Sequence, residues 1–189
     1  MPDHASSLLI IADDSTAPVT TLGSYLDTLP IADLTWRWCD RLTEVWDALS
    51  DGAYTRHVVL LDAQMTLLGL EDEVEAMLRE RDDGLLRFVE EPVLSGLLFA
   101  GLARKLRADA RVILHSAYNE PINAFVEANA DLQAYAKTVI DRWLWKPAVW
   151  GEVLDEIRLG LPTACGCADD CPGRAEGECL CSGPSEARA

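Results

Sequence analysis

Positive charge is scarce in this 189-residue chain: sixteen Lys and Arg stand against thirty-two Asp and Glu, for a formal charge of −16 at pH 7. Nucleic-acid binding needs a basic stripe that releases counterions, and no stretch of the sequence supplies one, so no nucleic-acid partner is expected. Long hydrophobic runs are missing as well. Nothing reaches the roughly 18 apolar residues of a membrane span, and the run 8–11 is too short for the apolar core of a signal peptide. The expectation is a cytoplasmic protein with no membrane partner. Histidine is limited to His4, His57 and His115, without catalytic spacing; His57 opens an apolar run and His115 closes one, so ordinary structural roles are expected of all three, with His115, beside Ser116, close enough to the polar tips to modulate them. Up to residue 164 the only cysteine is Cys39, within a predicted strand, where a plain buried role is expected.

What is present is a set of short apolar runs with polar tips. Residues 8–12 lead straight into Asp13 and Asp14, 58–61 into Asp62, 112–114 into His115 and Ser116, and 143–145 into Lys146. Continuous apolar runs separated by helical segments are what parallel strands covered on both faces require. In open parallel sheets the ligand site lies beyond the carboxyl ends of the strands, where these tips fall. Three carboxylates held together raise one another's pKa or bind a divalent cation, and oxygen-only ligation favours Mg2+. Lys146 then supplies a point positive charge for an anion. Each acid alone also fits a helix N-cap following a strand. Four polar tips on four strand ends are less easily explained that way.

The intervening segments read as helices. Ser15 or Thr16 can cap a helix that has Pro18 in its first turn and Leu22, Tyr25, Leu26 and Leu29 on its apolar face. Leu34, Trp36 and Trp38 alternate with Thr35, Arg37 and Cys39 as in an edge strand. Residues 43–49, 93–106 and 148–159 read as further helices, and 121–140 as an extended or broken one. Strands alternating with helices in this order make an α/β, doubly wound domain.

With these tips in this order, the chain resembles the receiver domain of two-component response regulators, of the chemotaxis-receiver type, over residues 7–160. The resemblance implies a five-stranded parallel sheet of flavodoxin-like fold. Asp13 and Asp14 fall on the family's acidic pair, Asp62 on its phosphoacceptor, Ser116 with Ala117 on the Ser/Thr position after the fourth strand, and Lys146-Pro147 on the Lys-Pro after the fifth. Trp143 takes the place of the aromatic switch. Implied with these are Mg2+ held by Asp13 or Asp14, Asp62 and the backbone carbonyl of Gln64, and Asp62 as the nucleophile toward a histidine-borne phosphoryl group. The implied partners are a sensor histidine kinase or phosphotransfer protein and a downstream protein, with room for a homodimer. Small phosphate esters are not expected to turn over, because Gln64 stands where haloacid-dehalogenase-like hydrolases carry a second Asp.

The chain also departs from the family pattern. Thr66 replaces the usual proline after Asp62, so that loop is expected to be less rigid. Between Asp62 and Ser116 lies an insertion of about two dozen residues, long for a compact domain. Its charge run, including Glu71-Asp72-Glu73 and Glu80-Arg81-Asp82-Asp83, reads as a solvated helix followed by a turn at Gly84. Residues 161–189 form a tail in which Cys165, Cys167, Cys171, Cys179 and Cys181 crowd into seventeen positions among Gly and Pro. Such a tail cannot make a hydrophobic core. In a cytosolic protein that density favours thiolate coordination of Zn2+ or Cu+ over disulfides, beside the alternatives of a metal-free disordered tail and of redox chemistry.

Overall fold

The computed structural model describes residues 6–27, 34–81, 83–117, 119–146, 148 and 150–161, with the backbone alone at 17–19, 83 and 119–121. Five strands, β1 (Ser7–Ala12), β2 (Leu34–Cys39), β3 (Arg56–Leu61), β4 (Arg111–Ser116) and β5 (Arg142–Trp145), form one parallel sheet in the order β2-β1-β3-β4-β5. The three central strands are almost wholly buried, whereas the outermost β2 alternates between half-buried and exposed positions from Leu34 to Arg37 and then reverses, with Trp38 exposed and Cys39 buried. This matches the difference between their apolar runs and the alternation of residues 34–39, because only strands covered on both faces must be apolar throughout.

Among the described residues there are seven α-helices: α1 (Thr16–Leu26), α2 (Leu42–Ser50), α3 (Glu71–Arg81), α4 (Ser95–Leu106), α5 (Asn119–Ala128), α6 (Ala130–Val139) and α7 (Trp150–Leu159). The stretch read as an extended or broken helix is indeed two, interrupted at Asn129, whose extended backbone caps α6. Leu22 and Leu26 of α1 are buried as expected, but Tyr25 is exposed.

The two faces of the sheet are covered to different depths. One face, carrying Leu8, Ile10, Val59, Leu61, Val112 and Leu114, packs against α2, α4 and α6. The other, carrying Leu9, Ile11, Val58, Leu60, Ile113 and Leu144, is covered by α1 and α7, with Leu161 closing its core. On the first face the insertion adds a further layer. Helix α3 and the 3-10 turn Asp83–Phe88 lie outside α4, and α3 buries Val74, Met77 and Leu78 there. The charge run read as a solvated helix is therefore solvated on one side only. As a result α4 is buried from Ser95 through Ala103.

Candidate functional site

The period-two alternation of side chains decides which polar tips meet. Ala12, Leu61, Leu114 and Trp145 all face the thick side, so Asp13, Asp62, His115 and Lys146, each one residue further, emerge toward the thin side. Parallel registers align those ends: Ala12 pairs with both Cys39 and Leu61, and Ser116 with Trp145. The lysine on edge strand β5 then reaches over β4. Its Nζ donates to Asp13 Oδ2 and to Asp62 Oδ2, each at 2.6 Å.

Each carboxylate also accepts from the backbone just after it. The Ser15 N–H donates to Asp13 Oδ1 at 2.9 Å and the Gln64 N–H to Asp62 Oδ1 at 3.2 Å. Ser15 does occupy the N-cap of α1 but makes no side-chain capping bond. The edge strand contributes too, because the Trp38 indole N–H donates to the Asp13 carbonyl oxygen at 2.8 Å. Asp13 and Asp62 are buried and Asp14 is exposed. One ammonium cannot neutralise three carboxylates, so the site keeps an excess of negative charge.

Among the described residues, Asp13, Asp14 and Asp62 are the one group of three His, Cys, Asp or Glu side chains able to share an ion, their nearest ligand atoms lying within 4.8 Å of one another. Oxygens about 2.1 Å from Mg2+ or 2.3–2.6 Å from Ca2+ lie up to about 4–5 Å apart, so the spacing and the all-oxygen chemistry fit a hard divalent cation. Lys146 is poised between opposing effects. Burial works against its ammonium, but hydrogen bonds and charges from Asp13 and Asp62 outweigh it and raise the pKa.

Ile11, Leu22, Leu60, His115 and Trp150 form the floor of a space of only about 10 Å³ that Asp13 and Asp62 also line. His115 belongs to this floor. Burial first, and the Lys146 charge second, push its pKa down to about 4, so it is a neutral ring at pH 7. Its ring centroid lies 6.1 Å from that of Trp150. Sequence order shows that His115 is near Ser116; only the alternation shows that His115, rather than Ser116, shares a face with Asp62.

The remaining expected site residues are placed as follows. Ser116 is fully buried, and its carbonyl accepts the Lys146 N–H at 2.8 Å. Trp143 lies half-buried on the thick face with its ring 5.5 Å from that of Trp145. Pro147 and the five tail cysteines lie outside the described residues. The loop after Asp62, expected to be loose without its proline, is tied down by the start of α4. The Ser95 hydroxyl donates to the Met65 carbonyl and the Gly96 N–H donates to the Ala63 carbonyl at 2.8 Å. Gly96 permits this approach, since a Cβ there would stand 2.1 Å from the Asp62 carbonyl oxygen.

No family model matches the chain, and no curated protein matches its sequence. Solved structures do match. The receiver domain of NtrX from Brucella abortus superposes with a TM-score of 0.52 at 13% identity, covering 82% of this chain and 99% of that one. The N-terminal signal receiver domain of a two-component response regulator from Bacteroides fragilis gives 0.51 at 17%, covering 82% and 96%. The signal receiver domain of an HD domain-containing protein from Pseudomonas fluorescens Pf-5 gives 0.50 at 17%, covering 82% and 94%. The expected fold is thus the observed one, a five-stranded, doubly wound, flavodoxin-like receiver fold.

Proposed function

We propose that this chain is a response-regulator receiver that accepts a phosphoryl group on Asp62 and signals through protein contacts. The observation that carries the reading is the Asp62 carboxylate itself, buried at the carboxyl end of β3, bridged through Lys146 to Asp13 and clustered with Asp14. An Asp62 carboxylate oxygen attacks phosphorus, the P–N bond of a phosphohistidine on a sensor histidine kinase or phosphotransfer protein breaks, and an acyl phosphate forms. Asp13 or Asp14, Asp62 and the backbone carbonyl of Gln64 would hold Mg2+, which would supply neutralisation of the phosphoryl charge. Lys146 supports the same charge from the β5 side. Ser116 is buried, so its hydroxyl reaches a phosphoryl oxygen only if the connection after β4 shifts; Trp143 on the neighbouring strand is the residue to follow that shift. A downstream protein, or a second copy of the chain, reads the altered surface.

Beryllofluoride with Mg2+ tests the reading, because it mimics the acyl phosphate without needing the kinase. Amide resonances around Asp13, Asp62 and Ser116 should shift in the wild type and stay put in Asp62→Asn. An unresponsive wild type, or a response retained by the variant, overturns it.

A second reading rests on a separate observation, the five cysteines of the tail. Cys165, Cys167, Cys171, Cys179 and Cys181 offer enough soft ligands for a tetrahedral Zn2+ site or a small Cu+ thiolate site, and the receiver fold then serves as its scaffold. Elemental analysis of protein purified without chelator should find near-stoichiometric zinc or copper; finding neither removes this reading.

A further inference from the structure

The outer strand β2 and helix α1 frame a groove of about 320 Å³ that the acidic site does not use. Two indoles form its floor, Trp36 half-buried and Trp38 36% exposed. Both indole N–H groups are already engaged, Trp36 with Asp27 Oδ1 at 3.2 Å and Trp38 with the Asp13 carbonyl at 2.8 Å, so what they offer a ligand is their π faces. Gly23 makes room for the first ring, since a Cβ there would meet Trp36 at 3.0 Å.

The wall of the groove is equally one-sided. The Thr20 hydroxyl donates to the Thr16 carbonyl and the Ser24 hydroxyl to the Thr20 carbonyl, each at 3.0 Å. A hydroxyl has one proton, and with that proton turned into the helix each presents only lone pairs outward. Asp27 adds a carboxylate. Two π faces, two hydroxyl acceptors and a carboxylate suit a ligand that is all donor and positively charged, and a guanidinium fits better than an ammonium because it also stacks flat on indole. The chain's charge of −16 draws cations toward this surface.

The strand supplies a second feature. Among the described residues β2 is the outermost strand; Leu34–Cys39 contains no Pro, and its one charged residue, Arg37, alternates onto the face away from Trp36 and Trp38, so the tryptophan side of the edge carries no charge to guard it against pairing. Side chains on alternate residues of an added strand would fall over the tryptophan face.

We propose that this groove docks an extended, arginine-bearing segment of a partner protein, which pairs with the β2 edge and lays a guanidinium over Trp36 and Trp38 against Asp27. The inference is independent of phosphoryl transfer at Asp62.

The test is a titration of the full chain with a blocked peptide of alternating Arg and Thr, followed through the indole N–H resonances. The same peptide with citrulline in place of arginine, and spermidine, serve as competitors of known charge and shape. Saturable shifts of the Trp36 and Trp38 signals are expected, with the citrulline peptide at least about tenfold weaker, and both Asp27→Asn and Trp36→Leu weakening the arginine peptide about tenfold. Equal binding of the citrulline peptide, equal displacement by spermidine, or shifts centred on α3 or on Asp14 would overturn the proposal. So would affinity unchanged in both variants.

Discussion

The two faces of this sheet are built to different ends. On one, α2, α4 and α6 cover the sheet and α3 backs α4, so that a helix already against the sheet is covered again. On the other, among the described residues, α1 and α7 alone cover a smaller core, and all the ionised groups of the candidate site emerge beside them. The thick face supplies rigidity at low polarity, and the thin face carries buried charge close to solvent. Helix α4 connects the two, because its first residues, Ser95 and Gly96, bond the backbone that follows Asp62. A helix packed on the thick face thus fixes the loop on which the chemistry depends.

Substitutions should separate the faces in order of size. Phe99 is fully buried at the centre of the thick face, and Phe99→Ala should cost about 4 kcal/mol in denaturant unfolding. A loss under about 1 kcal/mol would mean that the double cover does not pack as described. Next comes the charge balance on the thin side. Lys146→Met leaves two buried carboxylates facing each other and should cost about 3 kcal/mol without divalent cation. Mg2+ should then stabilise this variant more than the wild type; equal stabilisation would show that the lysine and the cation do not answer the same charge.

Lowering the pH should weaken the thin side through His115. Its folded pKa of about 4 lies below the ordinary 6.5, so the unfolded chain binds the proton first. The contribution is therefore complete above pH 6.5 and is lost as pH falls toward 4. Between about pH 7.5 and 5 the loss is about 2 kcal/mol. His57, also buried and pushed down chiefly by desolvation, adds a slope of the same sign. His115→Phe should remove the larger part of that slope, and an unchanged slope would place it elsewhere. The smallest effect is expected where the two faces meet. Ser95→Ala should cost about 1 kcal/mol and speed amide exchange at Gln64 and Met65, and unchanged exchange would deny the start of α4 its bracing role.

Much of this was legible in the sequence because burial on both faces forces central strands to be apolar throughout, and those runs also fix where Asp13, Asp62 and Lys146 stand. The break in the helical stretch 121–140 and the buried Cys39 followed from local pattern in the same way. What the sequence hid depends on register and layering. Trp38 reads as an edge-strand aromatic, and its bond to the Asp13 carbonyl exists only because Ile11 pairs with Trp38. Adjacency to Ser116 shows that His115 lies near enough to the site to modulate it, but conceals that the two point to opposite faces. Thr66 suggested a loose loop because nothing local shows that Ser95 returns to bind it across thirty residues of chain. Glu71–Arg81 looked solvated because its acids outnumber Val74, Met77 and Leu78, the three that pack.

The central claim is that Asp62 is a phosphoacceptor served by Lys146 and a divalent cation. Intact-mass measurement after incubation with acetyl phosphate and Mg2+ tests it most directly. The account predicts the gain of one phosphoryl group per chain, removable by hydroxylamine as an acyl phosphate should be, and absent both in Asp62→Asn and with chelator. No gain in the wild type, or a gain that survives in Asp62→Asn, would contradict it.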